Sequence, residues 1–340
     1  MSRPRYSLRR KLMASSLIML ALGGLLSLFA GSRLIRGAFL SQAQAKVRHD
    51  LASAWMVFDG KIEDIKDVVR MTAARESLRD FLKARRFEVL SKYLHRVRVE
   101  YGLDSLTLVD PAGRVLLRTS DSSQAGDDQS GNPVVARALA RQVSAGAMIV
   151  QKEELLKEGG DLAARAALEL VPTPLAAPRP GARETSGMML RASAPILDED
   201  ETLLGALYGG VLLNRTTEIV DRIKGVVFKD ERYKGRETGT ATIFQNDLRI
   251  ATNVVNERGE RAVGTLLSAE VKRAVLEEGR PWVDRAFVVN DWYITAYEPI
   301  RDVEQRIIGV LYVGTLERPY LDTASRVGLT EAGRRAAGEV

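Results

Sequence analysis

A chain of 340 residues with 45% hydrophobic and 28% charged residues has room for roughly two domains and is too apolar for disorder throughout. Its 50 basic and 44 acidic residues leave a net charge of +6, and five basic residues with no acid fall within the first eleven positions, so the remainder is near neutral and carries no nucleic-acid footprint. The absence of cysteine excludes disulfides, thiolate metal sites and a cysteine nucleophile, and the two histidines, His49 and His95, lack the one-turn spacing of a helical zinc pair.

The basic tail, 1–11, precedes twenty-one uncharged residues from Leu12 to Ser32, which as a helix span about 30 Å at about 1.5 Å per residue. This predicts a transmembrane helix over 12–32, with the N-terminus cytoplasmic by the positive-inside rule and everything after Arg33 extracytoplasmic. A cleaved signal peptide is the competing reading, with Ala30, Gly31 and Ser32 as its small residues, although its apolar core is normally only ~7–15 residues.

Between Arg33 and Tyr101 there is no proline, and apolar residues recur at Val47, Leu51, Ala54, Phe58, Ile62, Ile65 and Val69. Steps of three and four predict one long stalk helix over 33–100, interrupted if anywhere at Gly60 or between Arg75 and Arg86. The stripe serves packing against its own domain or against the second copy of a homodimer equally well.

From Tyr101 the pattern turns to strands. Apolar runs flank Asp110-Pro111-Ala112-Gly113 as a hairpin, a helical stretch covers Val134 to Val143, and the proline-rich segment Gly159 to Gly187 reads as an exposed insertion. Strands Met188–Ile196 and Leu203–Leu213 follow, joined by the acidic run Asp198 to Glu201, which lacks the glycine and spacing of a calcium loop. A helix at Thr217–Phe228 leads to a second hairpin, Thr240–Phe244 and Leu248–Thr252 around Gln245-Asn246-Asp247. A helix at Ser268–Glu278 and strands Trp282–Val289, Trp292–Ile300 and Ile307–Leu316 complete it, with Asn290-Asp291 as a tight turn. The fold class is thus α+β: two similar units with antiparallel sheets faced by helices, at 101–215 and 240–318, connected by a helix over 216–239.

The runs TATIFQNDLRIATNV, RAVGTLLSAEV, AFVVNDWYITAYEPI and IIGVLYVGTLE resemble the membrane-proximal half of a double Cache domain. SLTLVDPAGRVLLR, RASAPILD and YGGVLLNRTTEIVDRIK resemble its membrane-distal half and connecting helix, and the resemblance covers about residues 40 to 318. It implies two tandem PAS-like units and an extracytoplasmic small-molecule sensor, of the type found in histidine kinases and methyl-accepting chemotaxis receptors, in the inner membrane. Two features depart from the family pattern. The last hairpin turn reads Asp302-Val303-Glu304-Gln305-Arg306 rather than acid-glycine, and the polar tail 319–340 is too short and charged for the second membrane helix and output domain that usually follow.

In such sheets, alternating residues on the concave face line the pocket. The membrane-proximal candidates are Arg249, Thr252, Asn253, Arg285, Tyr293 and Tyr297, a set of cation, hydroxyl and amide donors with aromatic walls. An arginine fork matches a carboxylate, so the expected ligand is an anionic metabolite. Arg118, Arg191 and Tyr208 are the counterparts in the distal unit, and Trp282 and Trp292 are read as packing residues. No metal site, cofactor or nucleic-acid partner is expected. An enzyme with Glu298 and Asp302, or Asp198 and Glu199, as its carboxylates is disfavoured, because no nucleophile elbow, zinc motif or phosphate loop is present. The alternative to a sensor is a non-enzymatic adaptor that docks a signalling partner through its long helix.

Overall fold

The computed structural model describes residues 8–120, 124–229 and 231–323. The basic tail at 1–7 and the tail at 324–340 lie outside the described residues. The chain divides into two compact bodies, residues 1–46 with 316–340, and residues 47–315.

The first body contains the start of α1 (Leu8–Ala73), on which Leu17, Met19, Leu20, Leu26 and Phe29 are exposed. Among the described residues no helix is long and apolar enough to cross a membrane, so the span expected at 12–32 gains no support there.

Within the larger body α1 runs through Gly60 without interruption and buries Val47, Leu51, Ala54, Phe58, Ile65 and Val69. The stripe is therefore consumed by its own domain and is not a free seam for a second copy. The single stalk helix expected to residue 100 is three helices. Arg75 is extended at ψ 130° and Arg85 sits at φ 50°, so α1 gives way to α2 (Glu76–Lys83) and α3 (Phe87–Glu100). Leu78, Leu90 and Leu94 are fully buried in this folded-back arrangement. Neither break uses glycine or proline, which is why periodicity continues across them in the sequence.

Strands β1 (Ser105–Val109) and β2 (Val115–Arg118) form the first hairpin. Asp110 accepts from the backbone N–H groups of Ala112 and Arg114, both at 2.9 Å, and Gly113 takes the left-handed position at φ 83°. The Asp302 turn uses the same device. Its carboxylate accepts from the N–H groups of Glu304 and Arg306, both at 2.9 Å, and Gln305 takes the place of the glycine at φ 67°.

Beyond α4 (Pro133–Leu139), where the sequence predicts helix to Val143, lie a strand and a helix that it does not announce, β3 (Ser144–Val150) and α5 (Lys152–Glu158). The proline-rich segment is not a bare exposed insertion. Helix α6 (Leu162–Ala166) buries Leu162, Ala163 and Ala166, and β4 (Leu168–Glu169) pairs with β5 (Arg183–Glu184). The loop between them is strapped down: Arg179 reaches Asp247 at 2.9 Å, and the Ala269 N–H donates to the Leu175 carbonyl at 2.8 Å. Its alanines supply apolar area without side-chain entropy cost, which composition alone does not distinguish from a linker.

Strands β6 (Gly187–Leu197) and β7 (Leu203–Leu212) complete a five-stranded antiparallel sheet in the order β2-β1-β7-β6-β3. Helix α7 (Glu218–Phe228) and the small hairpin of β8 (Arg232–Tyr233) and β9 (Arg236–Glu237) lead to the second sheet. That sheet consists of β10 (Gly239–Gln245), β11 (Leu248–Thr252), β12 (Trp282–Val288), β13 (Asp291–Arg301) and β14 (Ile307–Leu316). Before β12, α8 (Ala269–Lys272), capped by the Ser268 hydroxyl, continues into a π-helical turn, Arg273–Glu277. The order β11-β10-β14-β13-β12 repeats the first sheet strand for strand, with the last strand central beside the first.

Candidate functional site

The second sheet carries a buried cation without a counter-charge. Arg249 on β11 is 4% exposed, and its guanidinium lies 5.1 Å from the Phe244 ring centroid. Nη1 makes one long contact, 3.5 Å to the Thr242 hydroxyl, while Nε has no partner, and no carboxylate pairs with the group among the described residues. Burial alone pushes the Arg249 pKa down, against a partial offset from the hydroxyls of Tyr312, Tyr297 and Tyr293. Alternation along β13 brings Tyr293, Thr295 and Tyr297 to one face, and the rings of Tyr297 and Tyr312 meet at 4.7 Å. Burial raises the pKa of all three tyrosines, keeping their hydroxyls protonated as donors.

Two donors of this face are buried and unpaired, Arg249 Nε and Trp282 Nε1, and just past the end of β11 the Asn253 Nδ2 is unpaired as well. Trp282 stands opposite Tyr297 in the β12–β13 ladder and so shares its face. A buried polar group left without a partner costs about 1–3 kcal/mol, more when charged. The arrangement thus lacks acceptors and positive-charge compensation, both of which an anionic oxygen ligand supplies.

Of the residues selected from sequence, the structure gathers Arg249, Tyr293 and Tyr297 into this cluster. Thr252 stands behind it, sharing a 2.6 Å hydrogen bond with Thr242 and accepting from the Val254 N–H. Asn253 fixes the same edge by accepting from the Ala241 N–H at 2.7 Å. Arg285 is not brought in. Trp282, Asp284 and Ala286 oppose Tyr297, Thr295 and Tyr293, so the site face of β12 carries even-numbered residues, and Arg285 lies on the other face, exposed and stacked 4.2 Å from the Trp292 ring centroid. Trp292 is 40% exposed and packs edge-on against Phe287. The sequence reading misses Tyr312 and Thr242. Tyr312 sits in an unbroken apolar run, and only the repetition of Tyr-Gly-Gly at 208–210 as Tyr-Val-Gly at 312–314 marks it.

In the first sheet the equivalent face is charged but compensated from within the chain. Arg118 and Arg191 are fully buried, as are Tyr208 and the carboxylate of Glu158 from α5. Glu158 accepts from the Thr107 hydroxyl at 2.9 Å and the Tyr208 hydroxyl at 2.6 Å, and lies 3.5 Å from Arg118 Nε. Arg118 also grips Asp127 in a two-pronged pair of 2.6 and 3.0 Å, and Arg191 pairs with Glu154 through Nη1 while its Nε and Nη2 stay unbonded. Burial disfavours the Arg118 cation, but the bond to Asp127 and the Glu158 charge outweigh it and hold its pKa above the ordinary value.

The bond from Arg118 holds the Asp127 carboxyl well below the usual carboxylate range. Its stabilisation is therefore complete above the unfolded pKa of ~3.9 and is lost as pH falls through the lower folded value. Asp127→Asn is expected to melt below wild type at pH 7, with the deficit shrinking progressively as pH falls below ~4. Thermal unfolding across pH checks this, and a deficit constant down to strong acid contradicts it.

Three of the four carboxylates considered for catalysis are committed elsewhere. Glu298 accepts from Trp55 Nε1 at 2.5 Å, Asp302 holds its turn and Arg306, and Asp198 pairs with Lys83 at 2.5 Å. A groove of about 440 Å³ lies along α1 and α3, lined by Lys61, Asp67, Met71, Arg75 and Tyr101 among others. Lys61 there pairs with Glu218 and Asp67 with Arg70, while Asp64 and Arg75 are exposed, so this groove holds no buried unpaired charge and is the weaker candidate.

Two tandem five-stranded sheets of one topology, each with a polar face between strands and helices, define a paired sensory module. The sequence profile described as a double sensory domain of two-component sensor kinases matches residues 40–225, and that of single cache domain 3 matches residues 211–327. The chain belongs to the double Cache family of sensory domains. No curated protein matches it. Among solved structures it is similar to the periplasmic domain of Vibrio cholerae LuxQ, at 13% identity and TM-score 0.48, covering 79% of this chain and 99% of that one. It is also similar to the ligand-binding domain of Campylobacter jejuni chemoreceptor Tlp3, solved in complex with L-valine, at 10% identity and TM-score 0.43, covering 86% and 97%. The sensor domain of the V. cholerae histidine kinase DctB matches at 11% identity and TM-score 0.40, covering 83% and 98%.

Proposed function

We propose that this chain is a membrane-anchored, extracytoplasmic sensor that binds a small anionic metabolite in its second, membrane-proximal Cache unit. The observation that carries the reading is Arg249, a buried guanidinium with no carboxylate partner among three tyrosines. Isolated buried charges cost several kcal/mol, and a site that bears this cost is repaid when a ligand supplies the opposite charge. Anchoring rests on the twenty-one uncharged residues at 12–32 behind five basic ones, and on the exposed Leu17, Met19, Leu20, Leu26 and Phe29 of α1.

Transmission has a physical route. Tyr297 faces the cluster, and the next residue, Glu298, reaches the other way to Trp55 on α1. A ligand that shifts β13 through Tyr297 moves α1 through this bond, to the extent that it binds the shifted arrangement more tightly. The signal then passes along α1 to the membrane or to a signalling partner protein.

The test is a thermal-unfolding screen of the full chain in detergent against inorganic and organic anions, run beside Arg249→Met. An anion at a hundred times its Kd adds about 2.7 kcal/mol, several degrees in a chain of this size. The expected result is an anion that raises the melting temperature of the wild type and not of Arg249→Met. An equal rise in both variants places binding elsewhere and overturns the reading.

A further inference from the structure

The two sheets can be overlaid residue by residue through their central strand pairs. In the first, Ser105 stands opposite Gly210 and Thr107 opposite Tyr208. In the second, Thr240 stands opposite Gly314 and Thr242 opposite Tyr312. Each sheet thus presents two hydroxyl residues on its first strand against a tyrosine and a glycine on its last, with the same register and all four buried.

What occupies this threonine and tyrosine pair differs. In the first sheet it is a carboxylate, since the Glu158 oxygens accept one hydrogen bond from Thr107 and one from Tyr208 while Arg118 and Arg191 supply positive charge. In the second sheet no carboxylate is there. The Tyr312 hydroxyl turns to Thr240 at 2.9 Å, the Thr242 hydroxyl to Thr252 at 2.6 Å, and Arg249 is left uncompensated. We propose that Glu158 is a built-in ligand that fills the first unit, and that the second unit takes a free small monocarboxylate in the equivalent place, its oxygens on Thr242, Tyr312 and Arg249.

This rests on the reading of Arg249 as the anion site and adds the chemical class of the ligand. One guanidinium balances one carboxylate, which disfavours dicarboxylates in a buried site. The carboxylates nearest the cluster are at its margin: Asp291 pairs with Arg236 at 3.0 Å, and Asp284 on the edge strand is exposed. Asp291, buried on the Tyr293 side of this face, is already held by Arg236, so an amino acid's ammonium would have to compete with a formed ion pair, and the ligand favoured is an unsubstituted, hydroxy or oxo acid. The first unit offers such a ligand no uncompensated charge, since its two arginines already face Glu154, Glu158 and Asp127.

The experiment measures the melting temperature of the full chain against acetate, propionate, pyruvate, lactate, succinate, alanine, phosphate and sulfate, each as the sodium salt or zwitterion. It uses wild type, Arg249→Met, Glu158→Ala and the double variant. A monocarboxylate is expected to raise the wild-type melting temperature with at least tenfold lower half-effect concentration than succinate, alanine, phosphate or sulfate, and to have no effect on Arg249→Met. Glu158→Ala removes the equivalent of one acetate. Its lowered melting temperature is expected to be restored by acetate, and that restoration to persist in the double variant, which lacks the second site.

If phosphate or sulfate binds best through Arg249, the anion-sensor reading stands and the carboxylate assignment is overturned. If no anion response depends on Arg249, both fall. Should Glu158→Ala not fold without acetate, its recovery by refolding in acetate and not in chloride supports the built-in-ligand assignment, and failure in both overturns it.

Discussion

Arg118→Met is expected to destabilise the protein by about 3–5 kcal/mol, the cost of breaking a buried charge network by removing one partner. The arginine is fully buried, and its loss strands two carboxylates at once: Asp127, which receives two of its hydrogen bonds, and Glu158, 3.5 Å from its Nε. Methionine replaces much of the stem volume, so the loss measures charge and hydrogen bonding rather than a cavity. Denaturant unfolding checks it. A loss below about 1 kcal/mol would mean that Glu158 and Asp127 find other partners, and that the first unit is not held by this network.

The same substitution in the second unit is expected to act in the opposite direction. Arg249→Met removes a buried cation that no carboxylate offsets, at the expense of a ring contact with Phe244 and a 3.5 Å contact with Thr242. The ring contact is worth about 0.5–2 kcal/mol, whereas exchanging buried ionic groups for apolar ones gains about 1–4 kcal/mol. The ligand-free protein should therefore melt several degrees higher while losing its response to anions. Stability gained on losing a function is the mark of a residue kept for binding. A melting temperature that falls as steeply as for Arg118→Met would make Arg249 a structural residue.

Paired opposites of this kind could not be read from the sequence, because both arginines lie in similar amphipathic hairpins. The hairpins themselves were legible, since Asp110 to Gly113 and Gln245 to Asp247 punctuate apolar runs in the only way a short antiparallel turn allows. The repetition of two units was legible for the same reason. Tyr293 and Tyr297 followed from alternation, but the same argument placed Arg285 on the wrong face, since the parity of an edge strand depends on a turn whose register is not written in its residues. Glu158 escaped notice because a seven-residue helix of lysines, glutamates and two leucines has the composition of a solvated surface. Its burial is decided by the arginines that meet it from β2 and β6, far away in sequence. The breaks at Arg75 and Arg85 fall within the stretch from Arg75 to Arg86 that the sequence marks as a place of interruption, but that there are two of them is not legible, because they are made by backbone angles that ordinary residues adopt under tertiary demand.

The most direct test of the account is the side-chain NMR signal of Arg249 itself. In the full chain labelled with 15N-arginine, the Nε–H resonance assigned by its absence from Arg249→Met is expected to shift downfield in proton frequency on addition of a monocarboxylate, as the unpaired donor gains a charged acceptor. The shift should saturate at the concentrations that raise the melting temperature. A resonance that stays in place while the melting temperature rises would show that the ligand binds away from Arg249, and would contradict the assignment of the second unit as the sensor.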